Sequence, residues 1–412
     1  MNNKKYYPTA IALYFSYFLL GIGISILGQY KPEFSSMWGA KTLSDGTLDV
    51  SIVLAVIAAL GLGRLISYPF AGPISDKYGR KVSGLIGNFL HAIFFVGIVF
   101  SPNFYIAYVF AIIGGAANSF LDTCVTPSCM EIFASLGTIA NMFTKFTIAL
   151  AQFLLPFIIG FVAANSISFK VIFIVTAILI VVDAILIAVL PFPPANNVID
   201  NKGKTVKSEK MKFTPTSIAL VCIGFTCTST FVLWLNCNQE LGKLYGMADP
   251  TKIQSFYSMG VICAVLITSL LIKKYIKPIR ILVIYPIIAL LMLLVVYFVQ
   301  TPTICMLGGF VIGYSAAGGV LQLTTSTANE MFPTNKGKIT SIVMIASSIA
   351  NYVILNIAGI ITKSGGVNGP KYVVLFNVAI TFVGILLALF VNMRYEKEKC
   401  MIMMSNISII YA

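Results

Sequence analysis

Arg64, Asp122 and Lys145 are ionisable side chains set within long apolar stretches, where a lone charge is costly and its presence points to function. A carboxylate beside two cations can do useful chemistry. Removal from water favours its protonated form and a neighbouring cation favours the ionised one, so a group poised between the two can take up and release a proton as its neighbours move. Asn118, Asp122 and Thr126 follow at i, i+4 and i+8, which lines them along one helical face. Counted along ideal helices, Arg64 and Asp122 fall about 12 Å from the nearer helix end and Lys145 about 10 Å, a shared depth that favours contact. The competing reading is a permanent Asp122–Arg64 or Asp122–Lys145 bridge that only holds helices together. Lys145 and Arg64 have a further alternative, a snorkelling stem with its head at the inner surface. His91 and Asp183 complete the set of ionisable residues inside apolar stretches and read as packing or interhelical hydrogen-bonding groups.

The second half of the chain offers neutral polar groups instead. Gln322, Ser326 and Asn329 lie near one face of one segment, and Ser348, Tyr352 and Asn356 follow at i, i+4 and i+8 in the next, with Asn351 beside them. Gln152 shares a face with Lys145 at i+7, and Trp234 accompanies Thr226, Thr230 and Asn236. Amides and hydroxyls suit a neutral, hydroxyl-rich solute, and an indole can stack on a sugar ring. Asn118, Gln152, Trp234, Gln322, Asn351, Tyr352 and Asn356 are therefore candidate substrate contacts. Interhelical glue for the amides and an interfacial aromatic belt for Trp234 are the alternatives.

The elements that must position these residues follow from composition. Of 412 residues 58% are hydrophobic and 10% charged, with a mean hydropathy of +0.92. A soluble enzyme, a disordered chain or a nucleic-acid-binding domain cannot be this apolar, so the net charge of +14 is read as topology and not as a nucleic-acid footprint. A bilayer-crossing helix needs about 20 apolar residues. The punctuation of the chain by charge predicts twelve: 6–30, 50–71, 82–100, 104–129, 138–163, 170–190, 214–238, 253–272, 281–300, 303–329, 339–362 and 372–393. With both termini cytoplasmic, 19 Lys and Arg fall on the inner side and seven on the outer, a clear positive-inside pattern. The N-terminal apolar run lacks an obvious small-residue cleavage site and reads as a retained first span. The eight cysteines show no CxxC or Cys/His grouping, so neither a metal nor another cofactor is implied. Residues 191–213, rich in Pro, Asn and Lys, read as a cytoplasmic linker between a six-helix unit at 1–190 and another at 214–393, with a cytoplasmic tail at 394–412. A shift of 199 residues lays Gly114 on Gly313, Thr126 on Thr325, Glu131 on Glu330, Gln152 on Asn351 and Gly160 on Gly359. Two such parallel repeats are a transporter architecture with a central site between the halves.

Between the second and third spans the chain reads Gly72-Pro73-Ile74-Ser75-Asp76-Lys77-Tyr78-Gly79-Arg80-Lys81, placed by the span boundaries in a short cytoplasmic loop. This motif, in a twelve-span chain, resembles the signature loop of the major facilitator superfamily. The resemblance covers essentially the whole chain and implies an all-α fold of two pseudo-symmetric six-helix bundles, monomeric in the cell membrane. It also implies that Gly72, Asp76, Lys77, Gly79, Arg80 and Lys81 form a conformational gate, with Asp76 capping a neighbouring helix and pairing with Arg80 and Lys77. The alternative for Lys77, Arg80 and Lys81 is a topology anchor alone. The repeat-equivalent Glu131 and Glu330 read as gate or cap residues. The segment from Gly114 to Asp122 looks like that of sugar transporters of the fucose–proton symporter type. The function expected is proton-coupled symport of a small polar solute, a sugar or related metabolite, with Asp122, Arg64 and Lys145 as the coupling group. Alternatives are proton-coupled export of hydrophobic compounds, uniport or organic-anion exchange through Arg64 and Lys145, and a non-transporting sensor on a transporter scaffold. No nucleotide loop, metal spacing or nucleophile elbow points to an enzyme.

Overall fold

The computed structural model describes residues 3–42, 48–133, 137–193, 211, 213–332 and 336–410. Most of the expected linker at 191–213 lies outside the described residues, as do the side chains beyond Glu398 in the expected tail. Among the described residues twelve helices are long and apolar enough to cross a membrane: α1 (Lys4–Gln29), α2 (Ser51–Tyr78), α3 (Arg80–Val99), α4 (Phe104–Ile132), α5 (Ala140–Ala164), α6 (Lys170–Val189), α7 (Pro215–Leu244), α8 (Lys252–Ile272), α9 (Pro278–Val299), α10 (Pro302–Met331), α11 (Lys338–Ser364) and α12 (Gly366–Glu398). Helical backbone bonds are satisfied within each segment, which is what hydrocarbon demands. Local chemistry sets the ends. Asn103 accepts a hydrogen bond from the Ile106 amide to start α4, Thr301 does the same for Ile304 in α10, and Thr214 forms a capping box with Ser217 at α7.

The helices form two bundles, α1–α6 and α7–α12, packed alike. In the first, α2 lies on α4, α3 on α6 and α1 on α5; in the second, α8 lies on α10, α9 on α12 and α7 on α11. The bundles meet chiefly along α2 with α11 and α5 with α8, and less through α1 with α7. Twelve consecutive spans bring the start of α1 and the end of α12 to the same side, called here the termini side; the other is the far side.

Two elements differ from expectation. The motif Gly72–Lys81 is helical and not a loop: α2 runs on to Tyr78, Gly79 alone makes the turn, and α3 starts at Arg80. Gly79 has φ 94° and ψ 153°, a conformation costly for any residue with a Cβ. The continuation leaves Arg64 about 21 Å from the end of its helix, deeper than the sequence estimate. Second, α10 is broken. An α-helical piece ends at Ile312, a π-helical turn covers Gly313–Ala317, and a new helix starts at Val320 after Gly319, whose φ is +113°. Its repeat counterpart α4 is continuous through Gly114 and Gly115.

Candidate binding site between the two bundles

Asp122 is gripped from two helices. Tyr17 of α1 donates its hydroxyl to Oδ1 at 2.5 Å, and Tyr68 of α2 donates to Oδ2 at 2.5 Å. Arg64 donates to the Tyr68 hydroxyl at 3.0 Å and sits 3.6 Å from Oδ2, so Tyr68 relays between cation and carboxylate. Thr126 lies 3.4 Å from the Tyr17 hydroxyl. The grip depends on glycine. A Cβ on Gly63 would overlap the Ile112 carbonyl, and one on Gly115 would overlap the Leu60 carbonyl. Backbone contact of this kind brings α2 and α4 close enough for Arg64 to reach the acid. Ser119 of α4 donates to the Arg64 carbonyl at 3.2 Å and helps hold the pair in register. Arg64 and Asp122 remain 13% and 18% exposed at mid-bundle depth. Tyr17 and Tyr68 carry no signal in the sequence beyond the i, i+4 spacing of Arg64 and Tyr68.

Lys145 of α5 lies within electrostatic reach of Asp122, Arg64 and the Cys227 thiol of α7, but beyond ion-pair distance of the acid. These groups sit on α2, α4 and α7, so Lys145 feels charges and dipoles from both bundles. The other candidate contacts divide. Asn118 is half-buried one turn from Asp122 and makes no hydrogen bond among the described residues. Asn351 packs its Cβ beside Gly61 of α2, one turn from Arg64, and its Oδ1 is buried without a partner. Gln322 Oε1 is likewise buried and unpartnered, one turn beyond Gly319, whose Cα faces the Met142 methyl of α5. Gln152 donates to Ser25 at 2.8 Å inside the first bundle. Asn356 donates to the Tyr352 carbonyl of its own helix, and the Tyr352 hydroxyl meets that of Tyr108 of α4 at 3.3 Å. Trp234 is buried in the second bundle, its ring 3.0 Å from a Cβ built on Gly308. His91 is buried against Phe94 and Phe95, and Asp183 accepts hydrogen bonds from Ser16 at 2.5 Å and Asn88 at 3.0 Å, behind α1.

The family description Major Facilitator Superfamily matches residues 13–353. The chain belongs to this superfamily. It is 33% identical over 397 residues to YfkL of Bacillus subtilis, an uncharacterised MFS-type transporter, across 94% of this chain and 97% of that protein. Among solved structures, the D-xylose–proton symporter superposes with a TM-score of 0.70 at 16% identity, covering 93% of this chain and 97% of that one. FucP in its outward conformation gives 0.64 at 14% identity, covering 94% and 99%. These likenesses show that the two bundles are the facilitator fold.

The facilitator is sealed on its far side. Lys31, 1% exposed in the short helix Lys31–Met37, donates to the Glu240 carboxylate at 2.7 Å and to the Asn236 carbonyl of α7. Gln239 donates to Gln29 at 2.8 Å, and Lys363 at the end of α11 pairs with Asp49 ahead of α2 at 3.1 Å. Burial alone would raise the Asp49 pKa, but the Ser51 hydroxyl and amide and the Lys363 ammonium outweigh it and hold the carboxyl below its ordinary value. On the termini side the signature motif does not form the cluster expected of it. Arg80 makes a two-pronged pair with Glu131 of α4 at 2.6 and 3.2 Å, while Asp76 is exposed and forms no ion pair among the described residues. The reason is Gly79, which turns the chain so that Arg80 opens α3 and faces α4. Lys81 caps the end of α6 through the Leu190 carbonyl at 3.2 Å, and Lys77 lies over the Tyr78 ring. Glu330 accepts from Tyr395 of α12 at 2.7 Å, so both repeat-related glutamates are held within their own bundles. A Cβ on Gly72 would meet nothing within 4 Å, which marks open space beside α2.

Proposed function

We propose that this facilitator is a proton-coupled symporter of a small polar solute, working by alternating access, and that the structure is its inward-facing state. The observation that carries the reading is the partly exposed Asp122 carboxylate, held halfway through a membrane protein by two tyrosines and an arginine. Ionised, Asp122 accepts both hydroxyls and neutralises Arg64. Protonated, it no longer offsets the cation, so the charge facing the cleft rises by one. That change gives substrate and proton a common variable, as coupling requires. The 19-to-7 distribution of Lys and Arg supports placing the termini side in the cytoplasm of the cell. Closure of the far side by Lys31, Gln29 and Asp49 then shuts the outer entrance. Asn118, Gln322 and Asn351 are the substrate contacts this arrangement favours, because their amides are uncommitted. Gln152 and Asn356 serve packing, and Trp234 serves the second bundle's core. A charged, amide-bearing cleft is a poor lining for purely hydrophobic cargo. One chain carries the whole site, so a monomer suffices.

Asp122→Asn tests the reading in proteoliposomes loaded with a substrate found by thermal-shift screening. Accumulation driven by a pH gradient is expected to vanish, with substrate exchange across the membrane preserved. Undiminished accumulation in that variant would sink the assignment.

A further inference from the structure

The cleft holds more positive than negative charge. Arg64 and Lys145 face it against Asp122 alone, and Arg64 with Tyr68 already satisfies that carboxylate. Lys145 has no hydrogen bond and no ion pair among the described residues; it is partly exposed and lies within electrostatic reach of Asp122, Arg64 and the Cys227 thiol. The second bundle supplies no acid between Lys252 and Asn329. An ammonium left alone at this depth costs several kcal/mol unless an anion meets it. Arg64 Nε, Asn351 Oδ1 and Gln322 Oε1 are buried polar atoms without partners; Asn351 packs on Gly61, one turn from Arg64, and Gln322 is one turn from Gly319, where a Cβ would meet Met142, itself one turn from Lys145. Such atoms are tolerated where a ligand completes them.

We infer that the transported solute is a small hydroxycarboxylate whose carboxylate is bound by Lys145 and whose hydroxyls complete the amides of Asn351 and Gln322. This deepens the symport reading and rests on it. Three chemical points select the class. A carboxylate brings the cleft's charge to zero while Asp122 is ionised, and protonation of Asp122 strengthens the attraction for it. A hydroxyl both donates and accepts, so it satisfies an amide in either orientation. An ammonium group, as on an amino acid, would meet the two cations and be repelled. A neutral sugar would satisfy the amides but leave Lys145 unmatched, and no exposed indole is available to stack on it, since Trp234 is enclosed by the second bundle.

The test uses purified full-length protein and matched probes: glucuronate against glucose, gluconate against sorbitol, and glycerate against glycerol. Binding is read by thermal shift and by calorimetry. At least one carboxylate is expected to bind about tenfold or more tightly than its neutral partner. Lys145→Gln should erase that preference, and Lys145→Arg should keep it within a few-fold. The wild-type comparison stands alone if the Gln variant does not fold. Three results overturn the inference: a neutral probe binding as well as its acid, binding by none of the acids, or a carboxylate preference that survives Lys145→Gln. Proton-driven uptake of a neutral sugar would overturn it while leaving the symport reading intact. Carboxylate binding with transport indifferent to Asp122→Asn would overturn only the proton coupling.

Discussion

The Tyr68 hydroxyl donates a hydrogen bond to Asp122 and accepts one from Arg64, so it is the joint of the ionic group. A hydrogen bond to a charged group contributes about 1.5–3 kcal/mol. Tyr68→Phe removes two such bonds while keeping the ring, and should slow proton-driven uptake about tenfold or more in proteoliposomes. Tyr17→Phe removes one and should slow it less. Equal rates for Tyr68→Phe and wild type would deny the relay. Asp122, Arg64 and Lys145 were legible in the sequence because a charge inside an apolar run is conspicuous. The tyrosines were not, because 19 of them are scattered through the chain and a phenol is at home in both core and interface. Trp234 shows the reverse error: an indole near polar neighbours invites a stacking role, yet burial against Gly308 is what fixes it.

At the level of elements, the twelve spans were readable because hydrocarbon thickness imposes a length and charge marks the ends. Their internal irregularities were not. Nothing in Gly313 to Gly319 announces a π turn, and the equivalent run in α4 stays helical. The break falls at Gly318 and Gly319, where α4 carries Ser119 and Phe120, and only glycine takes a φ of +113° without strain. Gly313 packs on the Tyr257 backbone and Gly318 on Ala264, both of α8, and the break borders a mainly apolar void whose lining includes Ile223, Pro286, Ala289 and Val320 beside Thr226 and Thr381. Gly319→Ala places a Cβ on a residue with φ +113° and should destabilise the protein by about 1–2 kcal/mol, measurable by chemical denaturation in detergent. Gly318→Ala should cost more, since its methyl would overlap the Ala264 side chain. A stability unchanged by both would mean that α10 straightens freely. The motif at Gly72–Lys81 was legible as a family mark but not as a pairing scheme, because the partner of Arg80 depends on how Gly79 aims it.

For the whole molecule, closure of the far side is the state-determining feature, and it can be trapped. A Cβ built on Gly359 of α11 lies 3.5 Å from the Ser51 Cβ of α2, within the range a disulfide spans. The double variant Ser51→Cys, Gly359→Cys should cross-link under oxidation, stop transport, and recover it on reduction. Cross-linking without loss of transport would show that α2 and α11 do not part there. The Asp49–Lys363 contact adds a pH signature. The carboxyl is held below its ordinary value of 3.8, so the attraction is complete above that value and is lost only as pH falls through the lower one. Between about pH 5 and 8 it is constant. Asp49→Asn should therefore leave the shape of the transport pH profile in that window unchanged, whatever it does to the rate. A profile that flattens would place the proton response at the outer seal.

Arg64, Asp122 and Lys145 all ride on the first bundle, while the second carries no formal charge at their depth. A voltage across the bilayer does work only on charge, roughly 2.3 kcal/mol for one unit moved through a full 100 mV drop. The field therefore tugs one half of the molecule and leaves its twin indifferent. If the transport cycle carries that half through part of the drop, an energised membrane biases even the empty protein, before any cargo has boarded.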